Sequence, residues 1–242
     1  MRPPPLFIMS PFRSSLAEGL AAARQNVRPA IVLLVFTTLL ILGYEFWPAM
    51  HGVLNELAAI RDRTGWTFAV ISTALFGGAL PLVFRRFLLH RPPTFDEVVF
   101  GVTFWGYKGF EVALFYDFQA WLWGSDHEPA TLVLKVLTDQ FVYVPLIAVP
   151  NMTLGYLWLA NGFIRRRTRE QLRKRSFWSR ALPVLISNAS VWIPACAFIY
   201  MFPTALQLPL QNIVLIFWIL ILMLVTGKKE RDPEEPPAAT AA

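Results

Sequence analysis

Six apolar runs, each close to the length of a bilayer-crossing helix, constrain the fold of this chain more than any other feature. A crossing helix needs about 20 mostly apolar residues. The sequence offers such runs at about 29–47, 66–84, 98–123, 129–164, 181–202 and 206–225. Only 16% of the residues are charged, whereas soluble domains average about 25%. The pattern predicts an all-α, polytopic transmembrane helix bundle; a soluble protein with a very apolar core is the alternative.

Prolines mark where these helices are expected to begin, bend or stop. Pro29 is well placed at the start of the first span, since proline is favoured in the first turn of a helix. The fourth run is too long for one straight crossing at about 1.5 Å per residue. We therefore expect Pro145 and Pro150 to kink or break it, with a second helical piece following. Between the last two spans, Pro203 and Pro209 form either a hairpin corner or a kink within one longer helix.

Basic residues predict the orientation of the bundle. In a six-span topology, eighteen of the 22 Lys and Arg residues fall on one side of the membrane. Cytoplasmic or matrix-side loops carry such an excess, so both termini are predicted inside. Residues 1–28 form a basic tail, which is also compatible with a mitochondrial presequence, and residues 227–242 form a tail predicted to be disordered.

The largest basic group is the run from Arg165 to Arg175. It either only sets the topology or also binds anionic lipid headgroups. Because the net charge of +6 is explained by such topogenic loops, nucleic acid is not predicted as a partner. The lipid bilayer is the predicted partner, together with small solutes or ions if the bundle conducts.

Ionisable side chains inside the third and fourth spans are the candidate functional residues. Lys108 and Glu111 are three residues apart and Lys135 and Asp139 are four apart, so each pair shares one helix face; Gln140 follows Asp139. Because unpaired charge is costly at membrane depth, we expect these faces to oppose each other, with Lys108 pairing with Asp139 or Lys135 with Glu111. The groups either line a water-filled path or only lock the bundle as buried ion pairs.

The sequence predicts no catalytic, cofactor or metal site. Cys196 is the single cysteine, and the three histidines are scattered near predicted loops, at His51, His90 and His127. No P-loop, nucleophile elbow, zinc-protease or paired-cysteine motif is present. A non-enzymatic membrane protein is therefore predicted, and an intramembrane enzyme is the least favoured alternative.

Four short patterns occur in an order that resembles the Mpv/PMP family of small integral membrane proteins. The most specific is Lys135-x-x-x-Asp139-Gln140-x-x-x-x-Pro145. The others are Gly109-Phe110 with Phe115-Tyr116, Ser187-Asn188 with Trp192-x-Pro194, and Phe202-Pro203 with Trp218. Several polar positions of the family pattern are apolar here, including Ala79, Phe198 and Ile199, so the chain resembles a divergent member.

The resemblance implies a channel for small solutes with weak selectivity. It covers residues 54–226 as a family-like transmembrane domain, with residues 29–48 as an additional transmembrane helix before it. It also implies the cytoplasmic membrane if the source is bacterial, and otherwise the mitochondrial inner or peroxisomal membrane. The alternative is a non-conducting structural or interaction protein whose buried charges only lock the bundle.

Overall fold

The computed structural model describes residues 11–126, 128–174 and 176–231. Within these ranges the chain forms α-helices and two π-helical segments, without a β-strand. The α-helices are α1 (Pro11–Phe46), α2 (Pro48–Thr64), α3 (Trp66–Thr73), α4 (Leu80–Leu88), α5 (Phe95–Trp123), α6 (Pro129–Thr138), α7 (Val149–Ala160), α8 (Arg165–Lys174), α9 (Phe177–Ile199) and α10 (Thr204–Arg231). The π-helical segments are Ala74–Ala79 and Asp139–Ala148.

Six helical stretches in the described part of the chain are long and apolar enough to cross a membrane. In chain order, these first to sixth spans are Ser15–Phe46, Trp66–Leu88, Phe95–Trp123, Pro129–Ala160, Phe177–Ile199 and Thr204–Ile221. The predicted all-α transmembrane bundle is therefore confirmed, and the chain is an integral membrane protein. Its apolar helices provide the surface that contacts the bilayer.

The first helix begins earlier than predicted. Pro29 lies inside α1 and does not start it. The preceding segment is helical because it packs along α9, where the Ser15 hydroxyl donates to the Ser179 carbonyl at 2.9 Å and the Asn26 amide donates to the Ser187 hydroxyl at 2.6 Å. The predicted basic tail is thus helical from residue 11, and residues 1–10 lie outside the described part.

The fourth span does not break at its prolines. It stays helical from Pro129 to Ala160 and adopts π-helical hydrogen bonding over Asp139–Ala148, which contains Pro145. Proline lacks the N–H that an α-helix needs and collides with the carbonyl four residues earlier. A π segment inserts an extra residue into the turn, and membrane helices accommodate proline by such local adjustments. The chain therefore does not break at Pro145 but changes its helix type there.

The last two spans form a hairpin, which answers the alternative left open at Pro203 and Pro209. α9 ends at Ile199 and α10 begins at Thr204, while Pro209 lies inside α10. Trp192 and Trp218 line the same cavity, so the two helices run back along each other. α10 continues to Arg231, so the predicted disordered tail is helical over 227–231. Residues 232–242 lie outside the described part.

Contacts between spans show that their directions alternate. The second and third spans are antiparallel, since Arg85 pairs with Glu97 at 2.8 Å near the loop that joins them. The second and sixth are parallel, with Thr73 donating to Asn212 at 3.0 Å and Gly77 lying beside Leu215. The first and fifth are parallel as well, as the contacts between α1 and α9 show. These directions are those of six successive crossings.

Candidate functional site

A cavity of about 310 Å³ lies at the centre of the bundle, between the second, third, fourth, fifth and sixth spans. This space is large enough to hold several water molecules. The first span contributes no side chain to its wall. The lining residues are Thr73, Trp105, Lys108, Val112, Tyr116, Asp139, Gln140, Tyr143, Val144, Ala148, Met152, Asn188, Trp192, Cys196, Gln211, Leu215, Trp218 and Ile219.

Lys108 enters the wall as part of an ion pair with Glu111 of the same helix. The Tyr143 hydroxyl from the fourth span donates to Glu111 at 2.6 Å and accepts from the Lys108 ammonium at 3.3 Å. Asn151, also from the fourth span, donates to the second Glu111 oxygen at 2.8 Å. Both predicted interhelical pairings are therefore wrong, because a spacing of three residues along α5 lets Lys108 and Glu111 meet directly.

Asp139 is buried at the first residue of the second π segment and meets no cation directly. The Tyr200 hydroxyl donates to one oxygen of its carboxylate, and the Gln140 amide donates to the other at 3.2 Å. No Lys or Arg of the described residues forms an ion pair with it. Hydrogen bonds to a carboxylate partly replace the water that burial removes. The Asp139 carboxylate in the cavity wall is therefore not neutralised by an ion pair, in contrast to Lys108, which Glu111 neutralises.

Gln140 links the carboxylate to the thiol of the fifth span. Its amide nitrogen also lies 3.6 Å from the Cys196 sulfur. The amide oxygen of Gln140 is buried and has no hydrogen-bond partner among the described residues. An unpaired buried acceptor costs about 1–3 kcal/mol. Because this oxygen is inaccessible to a water-sized probe, its missing hydrogen bond is a cost within the cavity wall.

Lys135 lies apart from the other predicted site residues. It is only 2% exposed, yet it does not line the cavity, because it sits a helical turn closer to the start of the fourth span than Asp139. The Gln119 amide of α5 donates to the Lys135 backbone carbonyl at 3.3 Å. Its ammonium forms no ion pair with the described residues. The structure therefore brings together Lys108, Glu111, Asp139 and Gln140, but not Lys135.

Several polar groups in or beside the cavity were not predicted from the sequence as site residues. Tyr143 and Tyr200 hold the two acidic side chains, and the Tyr116 hydroxyl donates to Gln211 at 2.6 Å. Gln211 is a polar residue within an apolar run, the same signal that singled out Asp139, and would have been found by extending that criterion to amides. The tyrosines carry no such signal, because tyrosine is common in membrane helices.

Two further ion pairs join different helices outside the cavity, Arg61 with Asp117 and Arg85 with Glu97. Among the residues that the structure describes, no group of three or more His, Cys, Asp and Glu residues is placed to hold a metal ion. The basic segment forms α8, with Arg165, Arg166, Arg167 and Arg169 exposed, while Arg175 lies outside the described part. The predicted contact of this segment with anionic lipid stays a prediction.

Comparison of the chain with protein-family models, with curated proteins and with solved structures gave no match.

Proposed function

We propose that this chain is a channel for small solutes or ions with weak selectivity, and that the central cavity is part of its path. The supporting observation is the cavity itself, bordered by five membrane-spanning helices and lined by Lys108, Asp139 and Gln140. Polar and charged groups are costly at membrane depth and typically mark solute or ion pathways.

Membership of the Mpv/PMP family, which the sequence resembles, is part of the same proposal. The four sequence patterns of this resemblance are far apart in the chain, yet each contributes at least one residue to the lining of one cavity: Tyr116, Asp139, Gln140, Asn188, Trp192 and Trp218. Convergence of separate patterns on one site supports membership of a family whose members form small-solute channels. All these residues fall within the proposed family-like domain, 54–226, and none lies in the additional helix.

We also propose an orientation for the chain, with both termini inside, and the membrane in which it lies. With spans of alternating direction, the loops that carry most of the arginines join spans on one side of the bundle, which supports both termini being inside. The membrane would be the cytoplasmic membrane in a bacterium, or the mitochondrial inner or peroxisomal membrane in a eukaryote.

Removal of the Asp139 carboxylate tests the proposal. In liposomes containing the purified chain and loaded with potassium, we expect potassium efflux well above that of empty liposomes. Asp139→Asn should lower this efflux by about threefold, because a pore-lining carboxylate attracts cations. Asp117→Asn is the matched control, since Asp117 of α5 pairs with Arg61 at 2.6 Å and does not line the cavity. Equal loss in both variants, or no efflux from the wild type, would contradict the proposal.

A structural role is the second candidate, and the Lys108–Glu111 network favours it. Tyr143 and Asn151 of the fourth span satisfy both carboxylate oxygens of Glu111, which ties the third span to the fourth. In a non-conducting bundle, substitutions at this network would lower stability while the folded wild type shows no efflux. The same efflux measurement therefore separates the two candidates.

A further inference from the structure

A second cavity lies beside the central one, against the additional N-terminal helix. Its volume is about 400 Å³, and its wall combines Ala22 and Asn26 of α1 with residues of α9 and α10. Asn188, Trp192 and Trp218 line both cavities. The two spaces are therefore neighbours that share these three side chains as a partition.

The second cavity lies closer than the central one to the basic side of the bundle. Its α9 residues begin at Pro183, near the start of that helix, whereas those of the central cavity begin at Asn188. The arginine-rich α8 directly precedes α9. α1 runs parallel to α9, so its first half lies at the same level. Val184, at the wall, is 42% exposed, so the cavity reaches the surface of the bundle.

The partition consists of side chains. Trp192 and Trp218 present indole rings and Asn188 presents an amide. Trp218 is buried and Trp192 partly buried, but a side chain can change rotamer without movement of the helix that carries it. Rotation of an indole would join the two cavities without any rearrangement of the spans.

We infer that the second cavity is the vestibule through which solutes reach the central cavity from the basic side, with Trp192 and Trp218 as its gate and α1 as its outer wall. This inference rests on the proposed channel function. It gives the additional helix a role in the path, although that helix contributes nothing to the central cavity. It also means that residues of the fifth and sixth spans control the entry of solutes into the central cavity, rather than the charged groups of the third and fourth spans.

Cys196 provides a built-in reporter of access. It is the single cysteine of the chain and lines the central cavity beyond the partition. On this inference, a membrane-impermeant cationic methanethiosulfonate added to the basic side passes the vestibule before it forms a mixed disulfide with this thiol, releasing its sulfinate. In proteoliposomes, trypsin cleavage at the exposed arginines of α8 identifies the molecules whose basic side faces the reagent. Mass spectrometry of the modified chain gives the rate of the reaction.

Filling the vestibule should slow this reaction. Ala22→Trp places an indole in the second cavity, and we expect modification of Cys196 to become about tenfold slower, since the reagent has to reach the thiolate. Ala21→Trp is the matched control at the neighbouring exposed position, outside the cavity wall, and should react at the wild-type rate. Equal rates in the two variants, or modification of the wild type only from the opposite side, would overturn the inference.

Opening the gate should have the reverse effect. Trp192→Ala is expected to speed modification by about tenfold, because it removes an indole from the partition in front of the thiol. Trp121→Ala, at a residue 78% exposed on the bundle surface, should leave the rate unchanged. Equal rates in these two variants would also count against the gate.

The vestibule and the channel can fail separately, because modification is measured without any current. Conducting protein with no difference between Ala22→Trp and Ala21→Trp refutes the vestibule alone. A clear difference between these variants without ion flux refutes the channel alone.

Discussion

Each acidic side chain near the central cavity is held by a tyrosine from another part of the bundle. Glu111 receives the Tyr143 hydroxyl, and Asp139 receives the Tyr200 hydroxyl. Glu111 also neutralises Lys108, which is 4% exposed. Loss of one member of a buried pair leaves the other charge without compensation, which is far more costly than loss of both. The individual side chains are therefore strongly coupled in their effect on stability.

The coupling can be measured by a double-mutant cycle at Lys108 and Glu111. We expect Glu111→Gln to lower the free energy of unfolding by about 3 kcal/mol, because it strands the Lys108 ammonium. Lys108→Met combined with Glu111→Gln should cost clearly less than the sum of these two single changes. Reversible unfolding in mixed detergent micelles gives these values. Strictly additive losses would show that the two side chains do not act as a pair.

Two of the spans pack so closely that glycine is required at their contact. A Cβ atom on Gly109 of α5 would collide with the backbone carbonyl of Ala69 on α3, and one on Gly78 would lie 2.5 Å from the carbonyl oxygen of Gly101. A Cβ on Gly106 would have no neighbour closer than a Val70 side-chain atom at 3.4 Å. Small residues allow such close approach in membrane bundles, where packing replaces the hydrophobic effect as the source of helix association.

The same substitution at two glycines of α5 tests this packing. Gly109→Ala should destabilise the bundle by about 2 kcal/mol, because a backbone carbonyl cannot move aside. Gly106→Ala should not destabilise the bundle and should raise the free energy of unfolding by up to about 1 kcal/mol, since its neighbours are at ordinary contact distances and alanine is favoured over glycine within a helix. Denaturant unfolding in detergent compares the two. If Gly106→Ala lowered the free energy of unfolding as much as Gly109→Ala, the need for glycine at residue 109 would not arise from its contact with Ala69.

The helices were predictable from sequence to different degrees. Run length and hydropathy are properties of one segment, and they found all six spans. The break considered at Pro145 does not occur, because the surrounding helix adopts π-helical bonding, which no local pattern indicates. The start of α1 was misjudged because residues 15–28 are stabilised by contact with α9, a partner distant in sequence.

Five spans surround a mostly apolar cavity that carries a few polar groups in its wall, and the first span lies outside it against the fifth. Sequence spacing indicated that Lys108, Asp139 and Gln140 face the protein interior, and they do line the cavity. The partner predicted for Lys108 was wrong, since that choice depends on which side chains meet in three dimensions. Trp192 and Trp218 line both this cavity and a second one. Such a shared wall could not be predicted from the sequence, because it is formed by two separate helices.

The position of Cys196 in the cavity wall permits a direct test that the cavity conducts. Single-channel recordings of the purified chain in planar bilayers should show discrete current steps. A cationic methanethiosulfonate should reduce these steps by attaching a positive group at Cys196, and Cys196→Ser should conduct and be insensitive to the reagent. Absence of discrete steps across a range of voltage and pH, or steps that respond equally in the wild type and in Cys196→Ser, would contradict the assignment of this cavity as the path.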